Sequence, residues 1–345
     1  MVSTRIETRN SAFELLRIIS IFMIILYHFV LHGLINNPVF PDAFVQGSSM
    51  NRFFAWLYFP GGEVGVALFF MTTGFFCIDS KKIKIKKVVM QVVFYAWLSL
   101  LLYYVLKSAV SGFTLPYSSQ EIKKYVYGSL LFPVRSGSFW FATAYILLRL
   151  FLPVYNSFLE KLNKKGYLLV LAFLFVAFMQ SQFFIVVLGY TKAFFFYSIG
   201  GFIKRYVHPK ELVGGGDIYN KPSLVVFLLS WVSYALLRYF GSNLQVSGIM
   251  KILFILFNSL FPCVLVPVCA TSILLLFSRL NIGENKFINT VSATTFGIYL
   301  LHDSNFVRSF LWCNVVKVQE LYLLKAFPLA ALLVCVIIFI TCSLL

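Results

Sequence analysis

Apolar residues in this chain neither alternate nor form one stripe. They come in blocks, each followed by a short polar or basic turn. Ten blocks cover roughly residues 11–35, 55–77, 88–107, 138–158, 167–187, 191–204, 223–240, 251–277, 290–304 and 323–345. A helix rises about 1.5 Å per residue, so about 20 apolar residues cross a hydrocarbon core about 30 Å thick. Most blocks meet that length, while 191–204 and 290–304 are short. In hydrocarbon the backbone must satisfy its own hydrogen bonds, which makes each block a helix. The pattern predicts an all-α fold, a polytopic transmembrane bundle of about ten helices, as a single transmembrane domain over residues 1–345.

The first block departs most from a plain apolar span, because it carries Glu14, Arg17 and His28. Eleven positions at about 100° each turn a helix by about three turns plus 20°, so Arg17 and His28 share one face, about 16 Å apart along the axis. A guanidinium facing lipid at depth costs about 2.5–3.5 kcal/mol even on the lenient insertion scale. That face therefore looks into protein or a wet cavity, and the default reading is a functional site. Two plainer readings stand beside it. Arg17 can snorkel to headgroups while paired with Glu14, and His28 can be a helix–helix hydrogen-bonding group.

Composition narrows the class. The 345 residues are 60% hydrophobic and 12% charged, with mean hydropathy +0.87, which excludes an ordinary soluble domain. The formal charge of +17 does not imply a nucleic-acid partner, since the basic residues fall in turns where topology and anionic headgroups account for them. The bilayer is the expected partner. The first block is too long and too charged for a signal-peptide core, so it is read as a retained span. Six cysteines form neither a Cys-x-x-Cys pair nor a Cys/His cluster, and neither a disulfide framework nor a metal site is expected.

Basic residues also set an orientation. With the N-terminus inside, inner turns hold 16 lysines and arginines and the longer outer ones hold ten. The run Lys81-Lys82-Ile83-Lys84-Ile85-Lys86-Lys87 contributes most. Both termini are expected to be cytoplasmic, with Arg17 near the cytoplasmic side and His28 in the outer half.

Other polar residues are fewer. The second block opens with Pro60-Gly61-Gly62-Glu63-Val64-Gly65, glycine-rich for a helix start and suited to close approach by a backbone or a ligand. Glu63 sits at its outer mouth. Lys81 and Lys82 are either membrane anchors or phosphate ligands. Residues Gln120 to Phe132 predict an interfacial helix. Arg149, within a turn of Pro153, is a second anion-binding candidate or a structural ion-pair partner, and Trp140 is an interface anchor or a substrate platform. The stretch Val213-Gly214-Gly215-Gly216-Asp217 lacks the phosphate-loop pattern and reads as a linker, with His208 a solvated residue. His302, near the outer interface, reads as a belt residue beside Tyr299. No two-half repeat of the transporter kind is visible.

Taken together, these residues resemble the integral-membrane acyltransferase-3 family, which includes bacterial polysaccharide O-acetyltransferases. The most specific part is Glu14-Leu-Leu-Arg17 followed after ten residues by His28. Supporting segments are Gly65-Val-Ala-Leu-Phe-Phe-Met-Thr-Thr-Gly74-Phe75, Ser138-Phe-Trp140-Phe141 and Thr295-Phe-Gly-Ile-Tyr299-Leu-Leu-His302. There are departures: Thr73 stands where the family usually has serine, and lysines replace an arginine-rich turn after the second block. The resemblance implies transfer of an acyl group, usually acetyl, from cytosolic acyl-CoA (acetyl-CoA) to a hydroxyl of a cell-surface or lipid-linked glycan in a bacterial cytoplasmic membrane. It implies His28 as general base or acyl carrier and Arg17 as donor ligand, helped by Arg149, Lys81 or Lys82. Glu14, Glu63, Trp140, Tyr299 and His302 would support them, and glycan-assembly proteins are further possible partners. A transporter or flippase, with Arg17 and His28 coordinating substrate, is the main rival; a non-catalytic scaffold is the third.

Overall fold

The computed structural model describes residues 10–109, 115–134, 139–181, 188–207, 220–243 and 248–344, and all regular structure among them is helical. The first block is α1 (Ser11–Val30), continued by a π-helical turn, Leu31–Ile35. Helices α2 (Ser49–Tyr58) and α3 (Pro60–Cys77) follow as one span, Ser49–Cys77. The glycine-rich segment therefore lies within a helical run and not at its start. Phe59 keeps right-handed helical angles, and Pro60 occupies the first position of α3, which it suits.

Next come α4 (Lys86–Ala109), α5 (Ser119–Leu131), α6 (Trp140–Glu160) and α7 (Lys164–Ser181). They are followed by α8 (Leu188–Phe202), α9 (Asn220–Asn243), α10 (Gly248–Arg279) and α11 (Lys286–His302). Last are α12 (Val318–Leu323) and α13 (Phe327–Leu344). Among the described residues, eight spans are long and apolar enough to cross a membrane. The two short predicted blocks correspond to α8 and α11, of 15 and 17 residues.

Other boundaries moved for local reasons. Leu324 is extended (ψ 143°), which ends α12 and delays α13 to Phe327, past the predicted start at 323. The predicted interfacial helix is α5. Its start is fixed by a capping box in which Ser118 and Glu121 satisfy each other's backbone N–H. Ser138, His208 and the segment 213–217 lie outside the described residues.

Helix α1 is the centre of the bundle, packed against α3, α10, α11 and α13. Large apolar side chains on α7, α9 and α13, among them Leu169, Phe173, Leu229 and Ile337, point outward, as a lipid-facing surface requires. Glycines set the tightest contacts. A Cβ at Gly61 would lie 2.6 Å from the Met23 carbonyl oxygen, and one at Gly65 would lie 2.7 Å from that of Ser20. The close approach is thus by a helix backbone. Small residues serve membrane helices in this way, where packing replaces the hydrophobic drive.

The ends of α1 and α11 are tied together. Asn10 caps α1 through the Ala12 amide, and Asn285 caps α11 through that of Ile288. Ser11 Oγ accepts from the Asn285 amide at 2.8 Å and donates to Asn289 Oδ1 at 3.0 Å. Two helices starting at one level run side by side, so residues along α11 meet residues along α1 in sequence order.

Candidate active site

Register between α1 and α11 sets two levels of contact. At the first, Ser292 Oγ donates to Glu14, and both Glu14 oxygens accept from Arg17 Nη1 at 3.2 Å. Glu14 is buried, whereas the Arg17 side chain is one-third exposed, in the wall of a cavity of about 290 Å³. Thr73, Lys87, Gln91, Tyr145 and Phe141 line the same cavity. This chamber is cationic and rich in hydroxyls. A guanidinium held from behind by a carboxylate presents its other N–H groups in a fixed fork, the geometry that suits a carboxylate or phosphate.

At the second level α1 delivers His28 and α11 delivers His302, with His28 Nδ1 and His302 Nε2 2.9 Å apart. His302 Nδ1 lies 2.6 Å from the Ile298 carbonyl oxygen, which can only accept. In the neutral pair the rest follows: His302 carries its proton on Nδ1, its Nε2 accepts from His28 Nδ1–H, and His28 keeps a bare Nε2. A fixed tautomer with one lone pair free is what a general base or a nucleophile needs.

Asp303, at the end of α11, faces both His28 Nδ1 (3.8 Å) and His32 Nε2 (3.4 Å). Arg308, one turn further, approaches Asp303 Oδ1 at 3.4 Å and Asn305 Oδ1 at 3.2 Å. His28, His32, Asp303, Arg308, Glu63, Tyr27, Trp140 and Tyr299 line a second cavity of about 160 Å³. His28, His32 and Asp303 place one potential metal-ligand atom each within 4.8 Å of one another. Arg308 already gives that carboxylate a cation, so the group reads as a hydrogen-bonded acid–base cluster.

The two cavities meet at an aromatic pair. Phe141 lines the first and Tyr299 the second, and their rings pack edge to face at 5.4 Å.

The other predicted residues divide between this site and the rest of the bundle. His302 is fully buried, which removes the interfacial-belt reading, and Tyr299 is buried beside it. Trp140 is partly exposed in the second cavity, with Lys192 Nζ 5.9 Å from its ring. Glu63 pairs with Lys192 at 2.6 Å. Arg149 is buried against Cys77, donating to its Sγ at 2.9 Å, and lines neither cavity. Lys81 pairs with Glu160 at 3.0 Å on the exposed surface, and Lys82 only turns its amide to Ser80 Oγ. The lysine of that basic run in the first cavity is Lys87. All six cysteines are free thiols.

A family model described as an acyltransferase domain, that of the acyltransferase-3 family, matches residues 10–345. The chain belongs to that family. It is accordingly a multi-pass membrane acyltransferase, and both levels of the α1–α11 contact lie within the matched domain. No curated protein and no solved structure matches it.

Sequence reasoning missed the charged and imidazole partners of His28 in this acyltransferase's second cavity: His32, Asp303 and Arg308. A signal for the first was present. His28 and His32 are four apart on one helix, hence on one face. Asp303 directly follows His302, but Arg308 returns to it only through the turn after α11, which no periodicity reveals.

Proposed function

We propose that this acyltransferase moves an acyl group, in the simplest case acetyl, from cytosolic acyl-CoA to a hydroxyl of a cell-surface or lipid-linked polysaccharide or sugar. The bilayer concerned would be a bacterial cytoplasmic membrane, with both protein termini inside. The observation that carries the reading is that one helix offers a braced guanidinium to one cavity and an imidazole of fixed tautomer to the next.

In this reading Arg17 and Lys87 hold the anionic part of acyl-CoA, and Glu14 with Ser292 positions Arg17. The thioester end reaches past Phe141 and Tyr299 toward His28. His28 Nε2 takes the proton of the acceptor hydroxyl, the oxygen attacks the thioester carbonyl, and the C–S bond breaks. The proton then passes to the departing CoA sulfur. Positive charge developing on His28 faces the Asp303 carboxylate, 3.8 Å from Nδ1. His302 holds the ring in the required tautomer. Positioned proton transfer of this kind contributes about 10²–10⁴-fold in rate.

The aromatic partition between the cavities favours a second chemical route. His28 Nε2 attacks the thioester itself, the C–S bond breaks and CoA thiolate leaves, and the acyl group then passes from the imidazole to the acceptor oxygen, whose proton ends on the CoA sulfur. Both routes need the same lone pair.

The test is transfer of label from radiolabelled acetyl-CoA into membrane glycan, comparing wild type with His28→Ala at matched expression. Label that appears and depends on His28 is the expected result. Full transfer by His28→Ala contradicts the mechanism. Absence of transfer with several acyl-CoA donors would move the reading to transport, with substrate flux as the assay.

A further inference from the structure

Beyond the two chambers lies a third cavity, of about 150 Å³, that shares Glu63 with the second. Glu63 comes from the first turn of α3, Tyr234 and Arg238 from the last turns of α9, and Asn258, Ser259 and Cys263 from α10. Tyr27 and Glu63 share the wall of the second cavity with Asp303. The third cavity therefore adjoins the His28 chamber and lies away from the Arg17 chamber.

Its charges do not cancel. Glu63 is matched by Lys192, whose side chain is almost wholly buried, at 2.6 Å. Arg238 has no carboxylate within 4 Å among the described residues. Its guanidinium carbon lies 5.5 Å from the Tyr234 ring centroid and 5.7 Å from that of Phe59, and its Nε is buried without a hydrogen-bond partner. Aromatic faces hold a guanidinium in place but do not neutralise it. A cation within a membrane bundle is costly unless paired or hydrated, and it marks a site where an anion binds. Asn258 and Ser259 line the same space with neutral polar groups suited to a hydroxylated ligand.

We propose that this third cavity is an acceptor subsite, in which Arg238 binds an acidic group, carboxylate or phosphate, of the sugar whose hydroxyl is presented to His28. The inference rests on the proposed acyl transfer for its biological sense, but its test is direct binding without any acyl-CoA. The preferred acceptor is thereby an acidic glycan.

The experiment measures binding to the full-length protein of a glucuronate-containing tetrasaccharide, its carboxyl-reduced neutral counterpart, and N-acetylglucosamine 1-phosphate. Wild type should bind at least one acidic probe ten or more times tighter than the neutral one. Arg238→Gln should lose at least tenfold on that probe and less than twofold on the neutral one. Asn258→Asp, nearly isosteric, adds a carboxylate to the wall of the cavity that Arg238 lines and should weaken the acidic probe similarly; it carries the test if Arg238→Gln fails to fold. Equal binding of acidic and neutral probes, or no binding of either, overturns the proposal. So does an acid preference seen in dodecyl maltoside but abolished by phospholipid nanodiscs, because Arg238 would then be a headgroup-phosphate anchor. Label transfer that depends on His28 but not on Arg238, with no acid preference, would leave the proposed activity standing and sink this subsite alone.

Discussion

The Arg17 chamber and the His28 chamber are built on the same helix and differ in almost every physical respect. The first is larger, about 290 Å³ against 160 Å³. It keeps one partly exposed guanidinium braced by one buried carboxylate. The second is a network in which His28, His302, His32, Asp303 and Arg308 partner one another and leave His28 Nε2 bare. A flexible anion needs room and a fixed charge, whereas a proton-transfer group needs a defined tautomer and little freedom. In the proposed reaction, placing each on its own turn of α1, with Phe141 and Tyr299 between them, would separate holding the donor from activating the acceptor.

That separation can be broken from either side. The largest effect outside His28 is expected for His302→Ala. Without an acceptor for its Nδ1–H, His28 can adopt the other tautomer or turn, and transfer should fall about 10²-fold or more with donor KM unchanged. An equal loss in donor binding would mean that His302 merely supports the bundle. Next is Arg17→Lys, which keeps the charge and loses the fork; donor KM should rise about tenfold while kcat changes little. A kcat loss with unaltered KM would move Arg17 out of the donor site. Phe141→Trp should narrow the passage between chambers, slowing transfer several-fold without affecting donor binding. Smallest is the contrast within the basic run. Lys87→Ala should raise donor KM several-fold, while Lys81→Ala with Lys82→Ala should leave it within about twofold, because only Lys87 lines the cavity.

Much of this was legible from the chain, for identifiable reasons. Blocks of apolar residues at bilayer length define helices almost without context, since lipid leaves the backbone no alternative. Arg17 and His28 stood out because charge and imidazole within such a block are costly. The partnership of His28 with His302 was not legible. It depends on the register of α1 against α11, and that register is set by Ser11, Asn285 and Asn289 at the far end of both helices. Arg149 and Lys81 show the reverse difficulty. A cation in sequence reads alike whether it meets a ligand, a thiol or a surface carboxylate, and here the partners are Cys77 and Glu160.

The most direct measurement reads both chambers in one preparation: acyl-CoA binding and label transfer in membranes carrying wild type, Arg17→Ala or His28→Ala at matched insertion. Divided labour predicts that Arg17→Ala loses donor binding, and that His28→Ala binds donor as wild type does while transfer disappears. His28→Ala protein that still transfers label at the wild-type rate would contradict it. So would Arg17→Ala protein that binds donor undiminished.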